Sequence, residues 1–259
     1  MYLVDYHTHP YAHGEDNVKP AHNFDYLKKF LKMAKVAEVK EIGFSDHDRF
    51  IDEINWDNLL KFKEKNKNNV KLGLEIDFSP DRIDDIKKII KEYPLDYTIG
   101  SVHRIGDWEV DHPVYIEEYH KRDLITVYKQ YFELVKEAAS SGLFNIIGHI
   151  DLIKIFNIIP PGINMLEMVE PALEVIKKRG LAIEINTNGL NKPVNEIYPS
   201  LSIIKRIVKM GIPLTLGSDA HGPKRVGENL KLMGNLLLKN GCQRIATFTE
   251  KKMKMIRIK

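Results

Sequence analysis

The sequence predicts an α/β protein made of repeated strand–helix units around a parallel sheet. Three observations carry this. Short runs of β-branched and apolar residues alternate with longer Lys/Glu-rich stretches at helical spacing. Seven such short runs occur within 259 residues, a number that suits a closed barrel better than an open sheet. Nearly every run ends on a histidine or a carboxylate.

The short runs cover 2–7 (YLVDYH), 41–47 (EIGFSDH), 70–78 (VKLGLEIDF), 96–103 (DYTIGSVH), 144–150 (FNIIGHI), 181–187 (LAIEINT) and 212–221 (IPLTLGSDAH). Between them, FDYLKKFLKMAKVA, RIDDIKKIIKEY, DLITVYKQYFELVKEAASSG, EMVEPALEVIKKRG and SLSIIKRIVKMG read as helices. Several of these end in glycine, the residue that most readily takes the left-handed cap conformation. A late run over 244–258 reads as a terminal strand or hairpin. The stretch 104–123 follows a strand without helical periodicity and is expected to sit over the strand ends as a lid. No linker or low-complexity segment interrupts the pattern, so a single domain over 1–259 is expected.

Composition narrows the class. Hydrophobic residues make up 43% and charged residues 29%, as in a globular protein that buries a sizeable core. A net charge of +3 offers no electrostatic footprint for nucleic acid, and the Lys-rich KFKEKNKNNVK reads as a solvated face. One cysteine, Cys242, rules out an internal disulfide. No apolar run approaches the ~18 residues of a membrane span, and the first residues lack the pattern of a signal peptide. A cytoplasmic protein is therefore expected, with no nucleic-acid or membrane partner.

The strand ends carry the chemistry. In parallel β/α folds the C-terminal ends of the strands open on one face, which holds the active site. Of ten histidines, seven fall at or just beyond such ends: His7, His9, His13, His47, His103, His149 and His221. Glu75 and Asp219 end runs in the same way. Side chains at i and i+2 of a strand point to one side, so His7 with His9, and Asp219 with His221, each aim two ligands at one point. Imidazoles with carboxylates suit zinc, iron or manganese. The remaining histidines, His22, His112 and His120, lie in helix-like or insertion segments and are expected in surface or loop roles.

The segments DYHTH, GFSDH, GLEIDF, IGSVH, IIGHIDLIK and LGSDAH resemble, in order and over nearly the whole chain, the polymerase-and-histidinol-phosphatase (PHP) superfamily. Within it they are most similar to the monofunctional histidinol-phosphatases. The resemblance implies a distorted TIM-like barrel of seven β/α units and a site of two or three divalent metals (Zn, Fe or Mn). It implies that His7, His9, Glu75 and Asp219 hold one ion and that Glu75, His103 and His149 hold a second. His47, His221 and His13 would hold a third. Fewer residues separate His13 from His9 than in the family pattern, so His22 is an alternative to His13.

The implied activity is hydrolysis of L-histidinol phosphate to L-histidinol and phosphate, with Glu75, His103, Asp219 and His221 as the catalytic residues. Metals bind phosphoryl oxygens and lower the pKa of bound water from 15.7 towards ~7, which suits so slow a hydrolysis. Arg104, Lys154 and Arg225 each follow a strand-end ligand and are candidates for the phosphate. Asp46, Asp77 and Asp151 are candidates to orient ligand imidazoles. Asp107, Trp108, Glu109, Asp111, Asn186 and Asn188 could recognise the rest of the substrate. The alternative within the superfamily is a phosphoesterase for another ester, such as a nucleotide. A non-catalytic scaffold fits poorly, because every motif keeps its histidine or carboxylate. A metal-dependent amidohydrolase fits poorly too, because no lysine stands at a matching strand end.

Overall fold

A computed structural model describes residues 1–11 and 22–259. The seven expected runs form one parallel sheet. Its strands are β1 (Leu3–Asp5), β2 (Val39–Phe44), β3 (Val70–Asp77), β4 (Tyr97–Ser101), β7 (Ile146–Ile147), β8 (Ala182–Asn186) and β9 (Leu214–Gly217), adjacent in that order. The first and last strands meet: Tyr6 N–H donates to Leu216 O at 3.0 Å, and His9 N–H to Ala220 O at 2.9 Å. The buried Asp5 carboxylate reinforces this seam by accepting from Ser218 N, Ser218 Oγ and Gly227 N. The sheet is thus a nearly closed barrel.

Helices pack outside it. They are α1 (Phe24–Val36), α2 (Trp56–Lys65), α3 (Ile83–Glu92), α4 (Ile116–Lys121), α5 (Leu124–Ser140), α6 (Met165–Arg179), α7 (Leu201–Met210) and α8 (Leu230–Lys239). Asn23, Asn55, Asp123 and Asn164 cap the starts of α1, α2, α5 and α6 with side-chain oxygens. Gly180 and Gly211 end α6 and α7 in left-handed backbone, as the sequence predicts. Helices α2, α4 and α8 are not among the expected elements, and α4 lies within the stretch 104–123 read as non-periodic. Helix α2 buries Leu59 and Phe62, the second of them from within the Lys-rich stretch that forms its C-terminal half. None of the described helices is long and apolar enough to cross a membrane.

The barrel interior is filled by aromatic rings. Tyr6 and Tyr97 stack at 4.9 Å between centroids, and Phe248 lies 6.1 Å from both. Gly43 and Gly73 make room: a Cβ at either would collide with the Tyr97 ring or its hydroxyl. Phe248 arrives on the predicted C-terminal hairpin, β10 (Arg244–Thr249) with β11 (Lys252–Arg257), which closes the N-terminal end of the barrel. The insertion after β4 forms the small hairpin β5 (Arg104–Ile105) and β6 (Trp108–Glu109), followed by α4. Its Trp108 and Tyr119 are buried against each other, so this segment is a packed wall beside the strand ends.

Candidate metal centre

Glu75 is the hub of the open end. It sits near the end of β3 and is 1% exposed. Its Oε2 lies 3.0 Å from His47 Nδ1, 3.1 Å from His7 Nε2 and 3.5 Å from His9 Nε2. Its Oε1 lies 3.0 Å from His149 Nε2 and 3.5 Å from His103 Nε2. A second carboxylate, Asp219, places Oδ1 3.2 Å from His9 Nε2 and 3.5 Å from His221 Nδ1. Asp219 has φ +54°, a left-handed conformation that aspartate tolerates better than most residues. Its N–H donates to His7 O at 2.8 Å, which fixes the turn and aims the carboxylate back at the first strand.

These groups perturb one another strongly. Burial alone would raise the Glu75 carboxyl, but facing His47, His7 and His103 hold it well below the usual carboxylate range. Asp219 behaves alike: burial raises it, and His7, His9 and His221 outweigh that. Burial opposes a charge on His103, yet Asp77 and Glu75 push it up to about 10. His9 is held well below its usual value by burial and by the neighbouring imidazoles His221 and His47.

Such a donor set fits divalent metal. Six imidazoles and two carboxylates converge, all but His221 buried, with no lysine or arginine among the described residues paired to Glu75 or Asp219. His7 Nε2 is a buried ring nitrogen that makes no hydrogen bond yet faces Glu75 Oε2 at 3.1 Å, an arrangement that is costly unless a cation takes the lone pair. Four groupings of three bring their donor atoms within 4.8 Å of one another: His7–His9–Glu75, His7–His149–Asp219, His47–Glu75–His103 and His9–His47–His221. His47 therefore reaches both towards Glu75 with His103 and towards His9 with His221. Glu75 divides its two oxygens between two sets of imidazoles, as a bridging carboxylate does.

The other predicted residues divide. His13 lies outside the described residues. Asp77 orients a predicted ligand, with Oδ1 2.6 Å from His103 Nδ1. Asp46 holds Tyr11 N–H and His22 Nε2 instead of a ligand imidazole. His22 is itself tied off, because Asn55 N–H donates to its Nδ1 at 3.3 Å, leaving the Nε2 proton for Asp46. Asp151 accepts from Ser200 N–H and pairs with Lys154.

The three candidate cations are absent from the lining of the opening and are paired with carboxylates. Lys154 is buried between Asp151 and Glu196, Arg104 pairs with Glu109, and Arg225 pairs with Glu228. Nearness in sequence to a ligand does not fix direction, because the chain reverses in a tight turn after each strand. A cavity of about 510 Å³ opens above the cluster, and its permanent cations among the described residues are Arg49 and Lys192. Glu109, Asp111 and His112 of the insertion also line it, His112 as an exposed loop residue. Asn188 lines it and donates to Asp219 Oδ2 at 3.0 Å.

Sequence reasoning also missed Glu184, in the middle of β8. Its Oε1 lies 2.6 Å from His7 Nδ1. The signal was available: in AIEIN the glutamate alternates with isoleucines and so shares a face with Asn186.

Known proteins agree with this architecture. The profile of the PHP domain matches residues 6–188, more than half of the chain, including His7, His9, His47, Glu75, His103 and His149. The chain belongs to the PHP domain family. Asp219 and His221 lie beyond the matched stretch, and geometry alone joins them to the PHP ligands. A protein of Deinococcus radiodurans described as a probable histidinol-phosphatase is 44% identical over 160 residues, covering 61% of this chain and 60% of its own length. The match thus spans less than two thirds of that relative. The histidinol-phosphatase of Lactococcus lactis is 26% identical and covers 98% of this PHP chain and 97% of its own. The crystal structure of the histidinol phosphate phosphatase from Lactococcus lactis, complexed with zinc, L-histidinol and phosphate, superposes with a TM-score of 0.77. It is 24% identical, covers 97% of this chain and 98% of its own, and shows the shared fold.

Proposed function

We propose that this chain is a histidinol-phosphatase: a metal-dependent phosphomonoester hydrolase that converts L-histidinol phosphate to L-histidinol and phosphate in histidine biosynthesis. It works as a single domain over residues 1–259 in the cytoplasm. The observation that carries the reading is the Glu75–Asp219–imidazole cluster at the floor of a cavity whose rim bears both signs of charge. Relatives described as histidinol-phosphatases support the substrate. The zinc, histidinol and phosphate bound to the Lactococcus protein support both substrate and cofactor.

His7, His9, His47, Glu75, His103, His149, Asp219 and His221 hold the ions, with His13 as a further candidate. Divalent metal bound there supplies charge neutralisation on phosphoryl oxygens and a water acidic enough to attack at neutral pH. Arg49 and Lys192 face the doubly charged phosphoryl group from the rim. Glu109 and Asp111 face the cationic amine and the imidazole of the alcohol half. Asp77 keeps the His103 ring oriented. The packed wall of the insertion excludes bulk water from one side.

Phosphate release from histidinol phosphate, measured beside a panel of nucleotide and sugar phosphates on zinc- or manganese-loaded protein, tests the reading. A strong preference for histidinol phosphate is the expected result. Comparable rates on many esters would move the assignment to a broader phosphoesterase. No release from any ester would overturn it.

A further inference from the structure

The barrel holds a buried carboxylate that the metal cluster does not use as a ligand. Glu184 projects from the middle of β8 and is 1% exposed. Among the described residues no lysine or arginine pairs with it; its one ion-pair partner is His7. Burying a carboxylate without a fixed cation is expensive, so the position needs a reason. A glycine clears the space: a Cβ on Gly217 would collide with Glu184 Oε1.

Its contacts supply the reason. Oε1 lies 2.6 Å from His7 Nδ1. Oε2 accepts the backbone N–H of His149 at 3.0 Å and contacts Asn186 Nδ2 at 3.4 Å. Asn186 Nδ2 in turn lies 3.3 Å from Asp219 Oδ2. A carboxylate only accepts, so the proton of this contact belongs to His7 Nδ1. With Nδ1 protonated, the Nε2 lone pair of neutral His7 points at the cluster, where it has no other hydrogen-bond partner.

We propose that Glu184 is a positioning residue that fixes the Nδ1–H form and ring angle of His7 and, through the His149 backbone and Asn186, holds ligands from three separate strand ends in register for the metal. The proposal rests on the metal centre and not on the choice of substrate.

Glu184→Gln tests it. Glutamine keeps the shape but has one acceptor for two donors, His7 Nδ1–H and His149 N–H. One donor must then face an amide N–H, and His7 can escape only by moving its proton to the ligating nitrogen. Zinc affinity of the metal-free protein, measured by competition with a chromophoric chelator, is expected to fall about 10- to 100-fold. The melting temperature of the metal-free variant reports any purely structural role. Zinc affinity equal to the parent's, whether or not stability drops, overturns the proposal.

Should the variant fail to fold, two-bond ¹⁵N–¹H spectra of the zinc-loaded parent decide. A His7 Nδ1 signal shifted as a 2.6 Å bond to a carboxylate demands supports the proposal, and one at the value of a water-bonded imidazole overturns it. Neither readout uses an ester, so a failure of histidinol phosphate as substrate leaves the result intact, and the reverse holds too.

Discussion

The two ends of the barrel treat buried carboxylates in opposite ways. At the hairpin end, Glu41 accepts from Tyr2 Oη and Tyr6 Oη, each at 2.5 Å, with Lys71 Nζ at 3.8 Å. Nearby, Asp96 pairs with Lys63 at 2.7 Å and accepts from the Leu72 and Glu250 backbone N–H groups. Hydroxyls, ammonium groups and amides keep these donors at any ordinary pH. At the open end, Glu75 and Asp219 face imidazoles, whose protons come and go. One end is complete in itself. The other is stable in its present form only while protons, or metal ions in their place, sit among the rings. Satisfaction by fixed donors marks scaffold, and satisfaction by exchangeable ones marks a site.

Perturbing each end in turn sharpens this contrast. The largest effect is expected from stripping metal with a chelator, which should abolish phosphate release and leave the barrel folded. Restored release on adding zinc, with a circular dichroism spectrum unchanged throughout, checks both halves. Glu75→Gln comes next. Losing the bridging charge removes several kcal/mol of transition-state stabilisation, so kcat/KM is expected to fall by about 10²- to 10³-fold or more.

At the other end, Phe248→Ala deletes a ring buried against Tyr6 and Tyr97 and is expected to cost about 3–5 kcal/mol in urea unfolding. Activity per folded molecule should not change. A matching loss of kcat would break the division between the ends.

The gentlest effect is a pH slope in the metal-free protein. Burial disfavours charge on His7 and His103, yet Glu184 and Glu75 hold His7 well above its usual value, and Asp77 with Glu75 pushes His103 to about 10. Unfolded histidines shed their protons above about pH 6.5. The stability tied to these two protons is therefore complete below that pH and is lost as pH climbs, for His103 as it approaches about 10. Between pH 7.5 and 9 the unfolding free energy of metal-free protein, measured in urea, should fall by up to about 1.4 kcal/mol per pH unit for each imidazole. Metal-loaded protein, whose ligands are already deprotonated, should show a flatter line. A flat line for both would mean that His7 and His103 are not charged in the absence of metal.

What the sequence reveals follows from where each residue sits. Strand-end ligands such as His47 and His103 stand out because a polar group abruptly closes an apolar run. Glu184 and Asp5 sit inside such runs and read as single polar interruptions. The three-dimensional partner that makes each useful, His7 for one and the Ser218 turn for the other, lies far along the chain. Lys154 misleads for the opposite reason. It adjoins the ligand strand, but the short helical turn after Asp151 carries its ammonium into a buried pair with Asp151, with Glu196 beyond. Arg49 and Lys192, which do reach the cavity, stand in turns that carry no sequence periodicity. The C-terminal hairpin is legible as a hairpin. That it floors the barrel is not, because Phe248 gives no sign of reaching Tyr6.

The seam between β1 and β9 has a consequence for the chain as a polymer. His7 and His9 stand on one side of it, Asp219 and His221 on the other, and the backbone bonds that cross it are few. An ion gripped by His9 and Asp219 staples the chain into a loop of nearly its whole length. Closing a loop that long costs the disordered chain configurational freedom, so a staple there shifts the balance towards the folded form, as a well-placed crosslink does. Starved of metal, the protein forfeits its chemistry and its clasp together. Metal-free copies would stay folded, but with a smaller margin along that line.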